Sequence, residues 1–575
     1  MVIFFILLCP FTSPAQQSVI EQAERQLNER GEVYFKFVLT GRAGLENIST
    51  LVSIGKVSND TMFAFANRKE FTEFLNLDLD YQVLTPPSLQ YPAIMGGGLK
   101  GASDWDYYPT YDQYISMMQN FASSYPQICR LEKIGESVVG RDILFVKISD
   151  NVNVEETEPE FMYSSSMHGN ELTGYVLLLR LIDYLLSGYG TDIQLTGIVN
   201  DAQIWINPLS NPDGAYAGGN STVNGSTRYN ANQVDLNRNY PDPKAGFHPD
   251  GNDWQPENLA MMTFMSEHHF VLSANLHTGS EVLNYPWDTW QQLHADNDWY
   301  YYICRQYADT VHNNLPPSLS GYLSSINNGI TNGYAWYPLQ GGRQDYVNYF
   351  LHGREITMEL SYDYLPVEAM LTEYWMANYR SMINYIKQCT FGINGQVTDS
   401  VYSNPVNARI ELLNHDSVHS EIYCVNQSGS YFRPVHEGAY DLLFSAPGYI
   451  SKIINNVQVI NEQTVTLNVL LVPEDYGIQT ELSENNITVF PNPFTEKTVL
   501  YFTVLNSTDI HIRLFTGTGQ LISSDCIRTM PGNNNISIDS SEMGEGIYFY
   551  TLTGESICRK GKLIKLDYHK TGSED

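Results

Sequence analysis

The spacing of apolar and polar positions divides the chain into regions of different predicted structure. Residues 16–96 combine a short helical start with alternating, strand-like segments, and they end in a glycine run at 96–98 that is typical of a linker. From Tyr107 onward, apolar residues at helical spacing alternate with short buried runs such as 161–163. This alternation predicts an α/β region with a mostly parallel or mixed sheet.

The helical spacing ends near residue 389. Two regions of short alternating strands follow, each rich in turn residues, and an acidic segment separates them. We therefore predict an α/β domain followed by two small all-β sandwich domains and preceded by a small α+β segment. The predicted boundaries are 16–104 for the N-terminal segment with its linker, 105–389 for the α/β domain, 390–473 for the first sandwich, 474–486 for a linker and 487–571 for the second sandwich.

The first fifteen residues have the pattern of a secretory signal peptide. An apolar run over 2–8 leads to a small-residue stretch, and we predict cleavage after Ala15, although no basic residue precedes the run. Cys9 raises the alternative of a lipoprotein, but Leu8 is too large for a lipidation box. Later segments lack 18 uninterrupted apolar residues, so we expect no transmembrane helix.

Charge narrows the possible partners. The chain has 32 Lys and Arg against 64 Asp and Glu, a formal net charge of −32. Nucleic acid is excluded as the main partner because phosphate binding needs a basic face. A cationic ligand would be attracted instead.

Six cysteines remain after signal cleavage, and none has the CxxC spacing of a Cys-ligated zinc site. Export would permit disulfides. Cys526 and Cys558 lie in one small region and are therefore the first candidate pair to test, while the pairing as a whole stays open.

Chemistry concentrates in the α/β region. His168 and Glu171 follow a buried strand and open a helix, where two side chains three residues apart can face one metal ion. Such a pair also arises by chance, and a second one exists at His352 and Glu355. Because the second pair leads directly into a strand, where residues three apart face opposite sides, we interpret it as structural.

The first pair is accompanied by further motifs. In chain order they are Asn211-Pro212-Asp213-Gly214, Arg228, Asp235-Leu236-Asn237-Arg238-Asn239-Tyr240-Pro241, Asn275-Leu276-His277, Asn284-Tyr285-Pro286-Trp287-Asp288, Trp336-Tyr337, Gly341-Gly342-Arg343-Gln344-Asp345 and Ile356-Thr357-Met358-Glu359-Leu360. With these motifs, residues 105–389 resemble the zinc metallocarboxypeptidases of the carboxypeptidase A/B type, and specifically the regulatory branch of carboxypeptidases D, E, M and N.

The resemblance implies one catalytic zinc ion held by His168, Glu171 and His277, with an open fourth position for water or substrate. Glu359 matches the general base, which takes a proton from the zinc-activated water and passes it to the leaving amine. Arg228 matches the arginine that polarises the scissile carbonyl and stabilises the oxyanion.

Other matches concern substrate binding. Asn237, Arg238 and Tyr337 match the clamp on the terminal carboxylate of the substrate, for which an Arg fork is well suited. Asp235 matches the acid that orients His168. The alternative interpretation is that Asp235 only stabilises a turn or caps a helix.

Specificity is also implied by the resemblance. Gln344 occupies the position at which the pancreatic basic-specific enzymes have an acid, and in the regulatory branch that position is Gln. There the acid that pairs with Lys or Arg ends a Tyr-Pro-x-Asp motif, which Asp288 matches; a solvated loop acid is its simpler reading. Two features depart from the family: Thr278-Gly279 replaces Gly-Gly, and Arg343 replaces Met and is expected to place a positive charge near the cleft.

The flanking regions carry weaker resemblances. Residues 391–473 resemble the transthyretin-like sandwich of the regulatory branch. Residues 487–570 resemble the C-terminal sorting domain of type IX secretion, through motifs such as Phe490-Pro491-Asn492-Pro493; another carbohydrate- or protein-binding sandwich is the alternative. A sorting domain implies secretion machinery as partner and a secreted or cell-surface location, reached through the periplasm of a gram-negative bacterium. No motif decides whether 16–96 is a pro-segment.

The expected function is an exported zinc metallocarboxypeptidase that removes C-terminal Lys or Arg from peptides and proteins. Two alternatives stay open. The first is a family member that trims cell-wall peptides. The second is a non-catalytic peptide-binding module, although neither Glu359 nor any of the predicted ligands is lost.

Overall fold

The computed structural model describes most of the chain. The described residues are 14–39, 41–96, 105–154, 156–425, 427–474, 487–504, 507–540, 543–554 and 557–566. The predicted signal peptide therefore lies almost entirely outside them, as does Cys9. Across the described part, no helix combines the length and apolarity that crossing a membrane requires. The described residues form two compact units, one before and one after the boundary between residues 474 and 475.

The N-terminal domain, residues 14–96, is a four-stranded antiparallel sheet covered by helices, in the order β2-β3-β1-β4. Its elements are α1 (Pro14–Arg30), β1 (Glu32–Val38), α2 (Arg42–Ile48), β2 (Ser53–Ser58), β3 (Thr61–Asn67), α3 (Arg68–Leu75) and β4 (Tyr81–Val83). Phe35 packs edge-on against Phe71 and Phe74 beneath the helices. The opposite sheet face is also buried, because Tyr34 and Phe65 pack against the α/β domain.

The α/β domain contains the predicted mixed sheet. Its elements are α4 (Tyr111–Ser124), β5 (Cys129–Glu136), β6 (Asp142–Ile148), β7 (Glu160–Ser165), α5 (Thr173–Gly188), α6 (Ile193–Asp201), β8 (Gln203–Asn207), α7 (Pro212–Ala215), α8 (Pro256–Glu267), β9 (Phe270–His277), β10 (Ser280–Tyr285), α9 (Asn297–His312), β11 (Ile330–Asn332), α10 (Gly333–Trp336), α11 (Arg343–Phe350), β12 (Glu355–Ser361) and α12 (Glu368–Lys387).

Eight strands form this sheet in the order β11-β10-β12-β9-β7-β8-β6-β5. The central strands β12, β9, β7 and β8 are parallel. On one side β10 pairs antiparallel with β12 and parallel with the edge strand β11, and on the other side β6 and β5 continue the sheet in antiparallel pairs. Every residue of β9 and β12 is buried because helices cover both faces of the sheet. The carboxyl ends of the parallel strands therefore meet at one edge, where ligands bind in α/β folds.

Residues 392–473 form the predicted β-sandwich. Its strands are β13 (Gly392–Asp399), β14 (Arg409–Leu412), β15 (Ile422–Tyr423), β16 (Ser430–Arg433), β17 (Gly438–Ser445), β18 (Tyr449–Ile450), β19 (Lys452–Val459), β20 (Thr464–Thr466) and β21 (Val469–Pro473). One sheet has the order β16-β13-β21-β18, with β20 beside β13, and the other has the order β15-β14-β17-β19. Their facing side chains enclose a separate apolar core.

A buried ionic cluster joins this sandwich to the α/β domain. Asp296 lies 2.8 Å from Nη2 of Arg354 and 2.9 Å from Nη2 of Arg433, which belongs to β16. His415 of the sandwich lies 2.9 Å from the same carboxylate. Burial opposes ionisation of Asp296, but the charges of Arg433 and Arg354 outweigh it and hold its pKa well below the ordinary value.

The C-terminal domain is a second sandwich. Its strands are β22 (Thr488–Phe490), β23 (Lys497–Val504), β24 (Asp509–Thr516), β25 (Leu521–Arg528), β26 (Gly532–Asp539), β27 (Gly546–Gly554) and β28 (Ile557–Lys565). They form sheets of order β22-β23-β26 and β25-β24-β27-β28.

The candidate Cys526–Cys558 disulfide is wrong. Cys526 lies on β25 and Cys558 on β28, the two edges of one four-stranded sheet. Neighbouring strands are about 4.8 Å apart, which separates these positions by about 14 Å, whereas a disulfide needs Cα atoms within about 7 Å. The Cys526 thiol is free and exposed.

Candidate metal centre and substrate cleft

Three predicted ligands converge at the carboxyl edge of the sheet. His168 and Glu171 lie in the turn between β7 and α5, and His277 is the last residue of β9. Nδ1 of His168 lies 3.1 Å from Nδ1 of His277, and the Glu171 carboxylate lies 2.9 Å and 2.8 Å from these two atoms. Zinc bonds of about 2.0–2.1 Å in a tetrahedron place ligand atoms about 3.3 Å apart, so the donors fit a zinc ion.

The other nitrogen of each imidazole ring is also held. Nε2 of His168 lies 2.9 Å from Oδ1 of Asp235, and Nε2 of His277 lies 2.6 Å from Nδ2 of Asn275. Zinc binding through Nδ1 of His277 requires a hydrogen on Nε2, so the Asn275 amide must then present Oδ1, which has no other partner among the described residues. Such partners orient metal-binding imidazoles. Asn275 was absent from the predicted site, although residues two apart on a strand share a face and its spacing from His277 could have indicated it.

Arg228 lies against the ligands. Its guanidinium donates to Oε1 of Glu171 at 2.9 Å and to Oδ2 of Asp235 at 3.1 Å, and it is buried. Burial disfavours the charge, but Asp235 and Glu171 outweigh it and raise the pKa of Arg228. A fixed positive charge therefore stands beside the metal site.

Glu359 faces the same site from β12. The strand register places it directly beside His277 of β9. Within the described part of the chain its buried Oε2 atom has no hydrogen-bond partner. Burial, reinforced by the negative charge of Glu171, raises its pKa well above the ordinary value. This carboxyl group is thus left free for chemistry in the cleft.

The predicted carboxylate clamp lines the same cavity. Arg238 directs Nη1 to the carbonyl of Asn237 at 2.9 Å, while its buried Nη2 lacks a protein partner among the described residues. Asn237 accepts from the backbone N–H of Arg343 at 3.0 Å. Tyr337, at the end of α10, completes this wall. A buried and unpaired guanidinium nitrogen is what an incoming carboxylate would satisfy.

Asp288 lines the same cavity. Its carboxylate accepts from Asn284 Nδ2 at 3.0 Å, and burial raises its pKa to about 7. Gly333 allows this position, since a Cβ atom there would lie 1.7 Å from Oδ1 of Asp288. Gln344, in α11, is buried with both side-chain amide atoms unpaired in the described structure, but it does not line this cavity.

The expected positive charge of Arg343 near the cleft is wrong. Its guanidinium is fully buried and pairs with both carboxylate oxygens of Glu355, at 2.9 Å and 3.0 Å, and with Oγ of Ser164 at 2.5 Å. The charge is therefore neutralised inside the protein. This contact also explains Glu355, whereas His352 of the same motif points elsewhere and contacts the carbonyl of His419.

Strand β2 of the N-terminal domain covers the cleft. Ile54 and Gly55 line the same cavity as His168 and Glu359, and only about 20 Å³ of it remains free. The carbonyl oxygen of Gly55 approaches so closely that a Cβ atom on Gly279 would lie 2.5 Å from it. Space for about one water molecule is left beside the ligands.

Polar contacts reinforce this cover. Ser53 donates to Oδ2 of Asp235 at 2.5 Å, and Glu32 accepts the backbone N–H of Arg228 at 2.8 Å. The Phe65 ring lies 5.7 Å from the guanidinium of Arg228. Sequence reasoning missed this arrangement, because alternation within a strand does not identify what its second face contacts.

Residues 114–381 match the family model described as zinc carboxypeptidase, and residues 488–566 match the secretion system C-terminal sorting domain. Carboxypeptidase M of Mus musculus is 37% identical over 347 residues, covering 58% of this chain and 77% of that protein. The carboxypeptidase N catalytic chain of Homo sapiens is 33% identical over 377 residues, covering 59% and 80%.

Carboxypeptidase D of Rattus norvegicus is 38% identical over 371 residues, covering 62% of this chain. The matched region spans 26% of that longer relative. Among solved structures, carboxypeptidase A from Helicoverpa armigera is similar with a TM-score of 0.49 and 18% identity, covering 62% of this chain and 96% of that one.

With the arrangement of ligands described above, the family-model match and the similarity to carboxypeptidases M and N define a metallopeptidase domain. The chain belongs to the zinc carboxypeptidase family, and its similarity to carboxypeptidases D, M and N confirms the predicted regulatory branch.

Proposed function

We propose that the chain is an exported zinc metallocarboxypeptidase that removes a C-terminal Lys or Arg from peptides and proteins. The observation that carries this proposal is one cavity shared by the metal ligands, by Glu359, by Arg238, whose Nη2 has no partner among the described residues, and by the buried Asp288. A carboxylate anchor and an acid in one cavity match a substrate whose last residue carries a negative carboxylate and a positive side chain.

His168, Glu171 and His277 would hold the zinc ion. When bound, zinc polarises a carbonyl oxygen and makes water a better nucleophile at neutral pH. Glu359 takes a proton from the attacking water and delivers it to the departing amine, which its unpaired oxygen permits. Arg228 stabilises negative charge that develops on the substrate oxygen.

Arg238 binds the terminal carboxylate through Nη2, assisted by Asn237 and Tyr337. Asp288 pairs with the side-chain cation of the last residue, whereas Gln344 of α11 lies outside the lining of this cavity. Arg343 does not oppose the cation, because Glu355 neutralises it. Asp235 and Asn275 position the two imidazoles and take no part in bond making.

The test is kcat/KM of the zinc-loaded protein on paired peptides ending in Arg and in Phe. A preference for Arg of tenfold or more is expected. A cell-wall stem peptide tests the alternative substrate, and faster cleavage of that peptide would favour it. No cleavage of any peptide, after removal of the N-terminal domain, would favour a binding module.

We also propose that the N-terminal domain is a pro-segment that restrains the enzyme until it moves or is removed. The support is the small free volume of the cleft and the contacts of Ser53 and Glu32. A sequence-specific protease site placed within 97–104 allows cutting and separation of the two parts. Turnover should rise at least tenfold after separation; equal turnover of the cut, separated protein and the intact protein would refute this role.

We propose that the C-terminal domain is a sorting signal that the secretion machinery recognises. The enzyme would then pass through the periplasm of a gram-negative bacterium and reach the cell surface or the medium. The support is the match of residues 488–566 to a sorting domain. Fusion of 487–575 to a reporter enzyme in a type IX secreting bacterium tests it. A reporter retained in the periplasm, with or without the fusion, would refute it and leave another binding role for this sandwich.

A further inference from the structure

A second group of metal-binding side chains lies at the junction of the α/β domain and the β-sandwich. His352 lies in the turn between α11 and β12, while His419 and Glu421 lie in the loop between β14 and β15. Each offers one ligand atom, and these atoms lie within 4.8 Å of one another. The group is separate from the residues that line the substrate cleft.

The orientation of His352 is the second observation. Its Nδ1 atom lies 3.1 Å from the carbonyl oxygen of His419. A carbonyl only accepts, so Nδ1 carries the hydrogen and Nε2 presents a lone pair. Metal-binding imidazoles are held in this way by their second nitrogen.

Both histidines have left-handed backbone conformations, with φ of 57° at His352 and 64° at His419. Such values are uncommon for residues other than glycine, and they cluster at functional sites. The His419 ring stacks on Tyr349 at 4.2 Å, and the His352 ring meets the Tyr423 ring edge-on at 4.9 Å. The two imidazoles are therefore positioned by packing from both domains.

Charge distinguishes this group from its neighbour. Asp296, His415 and Asp416 also lie close together, but Arg354 and Arg433 already neutralise their carboxylates. Glu421 has a weaker partner, since Nε of Arg409 lies 3.5 Å away and Nη1 of the same arginine binds Glu411. A cation at Glu421 would therefore replace a long, shared ion pair.

We propose that His352, His419 and Glu421 bind a late first-row divalent cation of the zinc type, which fastens the β-sandwich to the α/β domain. Two imidazoles and one carboxylate are suitable donors for such an ion, and solvent can complete the coordination. Zinc ligand atoms lie about 3.3 Å apart, so the exposed His419 side chain has to rotate slightly to close the site.

Zinc counting tests the proposal. The full chain is stripped with a chelator, dialysed against low-micromolar zinc chloride and analysed by inductively coupled plasma mass spectrometry. Two zinc ions per chain are expected for the unmodified protein and one for His419→Ala, which should keep its peptidase activity. His248→Ala, at another exposed histidine of the α/β domain, is the matched control and should keep two.

Glu421→Gln, judged folded by circular dichroism, provides a second variant and should also hold one ion. Titration of His168→Ala with zinc chloride should reveal one remaining site, which is lost when His419→Ala is added. One ion in the unmodified protein, two ions in His419→Ala, or loss of an ion in the His248→Ala control would each overturn the proposal.

Discussion

Ser53 of the N-terminal domain donates a 2.5 Å hydrogen bond to Oδ2 of Asp235, whose other carboxylate oxygen lies 2.9 Å from Nε2 of His168. A single carboxylate therefore connects the covering strand to a metal ligand. Movement of the N-terminal domain removes one hydrogen bond from Asp235 and leaves its contact with His168 in place. Opening the cleft need not disturb the ligands.

Phe65→Ala should increase turnover of the intact, zinc-loaded protein. Phe65 is fully buried between Tyr34, Tyr364 and Arg228. Its truncation should cost about 3–5 kcal/mol of packing, and the share that comes from Tyr364 and Arg228 weakens docking of the N-terminal domain. Initial rates on an Arg-terminated peptide measure the effect. The exposed Tyr91→Ala is the control and should leave the rate unchanged; a slower or unaltered Phe65→Ala would contradict restraint by this domain.

Glu359→Gln should abolish turnover while zinc content stays the same. The amide keeps the shape of the side chain but cannot accept and return a proton. Loss of general acid–base catalysis typically lowers the rate by a factor of about 10²–10⁴. Steady-state kinetics and metal analysis of the same preparation give both readouts, and a near-normal kcat would reject Glu359 as the general base.

Asp288→Ala should abolish the preference for C-terminal Arg over Phe. Removing one partner of a buried ion pair costs roughly 3–5 kcal/mol, or about two to three and a half orders of magnitude in kcat/KM. Activity on apolar C-termini should survive, because Arg238, Asn237 and Tyr337 still hold the carboxylate. Gln344→Ala serves for comparison and should have a smaller effect, and an unchanged Arg/Phe ratio in Asp288→Ala would show that its carboxylate does not read the substrate.

Arg343→Met should strongly destabilise the α/β domain. The variant leaves Glu355 buried without its bidentate partner, which costs about 3–5 kcal/mol. The double variant Arg343→Met/Glu355→Gln removes both charges and should recover part of the loss. The free energy of unfolding of each variant is measured by urea titration with tryptophan fluorescence as the signal. Equal destabilisation of the single and double variants would show that the unpaired charge is not the cause.

The free energy of unfolding should decrease as the pH falls from about 6.5 toward 4, because His294 is buried in its neutral form. Burial lowers its pKa to about 3, although Asp296 opposes that shift and Arg354, Arg433 and His415 support it. The unfolded chain binds a proton near pH 6.5 while the folded chain does not, so each pH unit in this window costs about 1.4 kcal/mol.

Calorimetric midpoints at several pH values test this dependence. His294→Gln should show a shallower loss of stability between pH 6.5 and 4, whereas the exposed His248→Gln should follow the unmodified protein. Parallel curves for His294→Gln and the unmodified protein would contradict the assignment.

The sequence predicted the α/β sheet well because its central strands are buried runs separated by helices. The same feature brings His168 and His277 to one edge, since parallel strands end there. The role of Asn275 was accessible from its spacing but was not inferred. The functions of the site residues themselves stay predictions until the kinetic experiments are done.

The spacing of residue types along the sequence does not show which distant segments contact each other. Arg343 is adjacent to the pocket residue Gln344 in sequence, yet its partner is Glu355 across a helix and a turn. Cys526 and Cys558 belong to the same small domain, yet the strand order places them on opposite edges of one sheet. The second face of β1 and β3 likewise depends on Tyr229 and Tyr364, which no local pattern connects to the N-terminal domain.

The missing side chain at Gly333 has a consequence for comparing genomes. Any larger residue at this position would have to displace the carboxylate of Asp288, whose Oδ1 lies where a Cβ atom would be. The two positions should therefore change together during evolution. Among sequences of this family, glycine at the position equivalent to 333 should therefore occur in chains that have an acid at the position equivalent to 288. Chains without that acid should tolerate larger residues there.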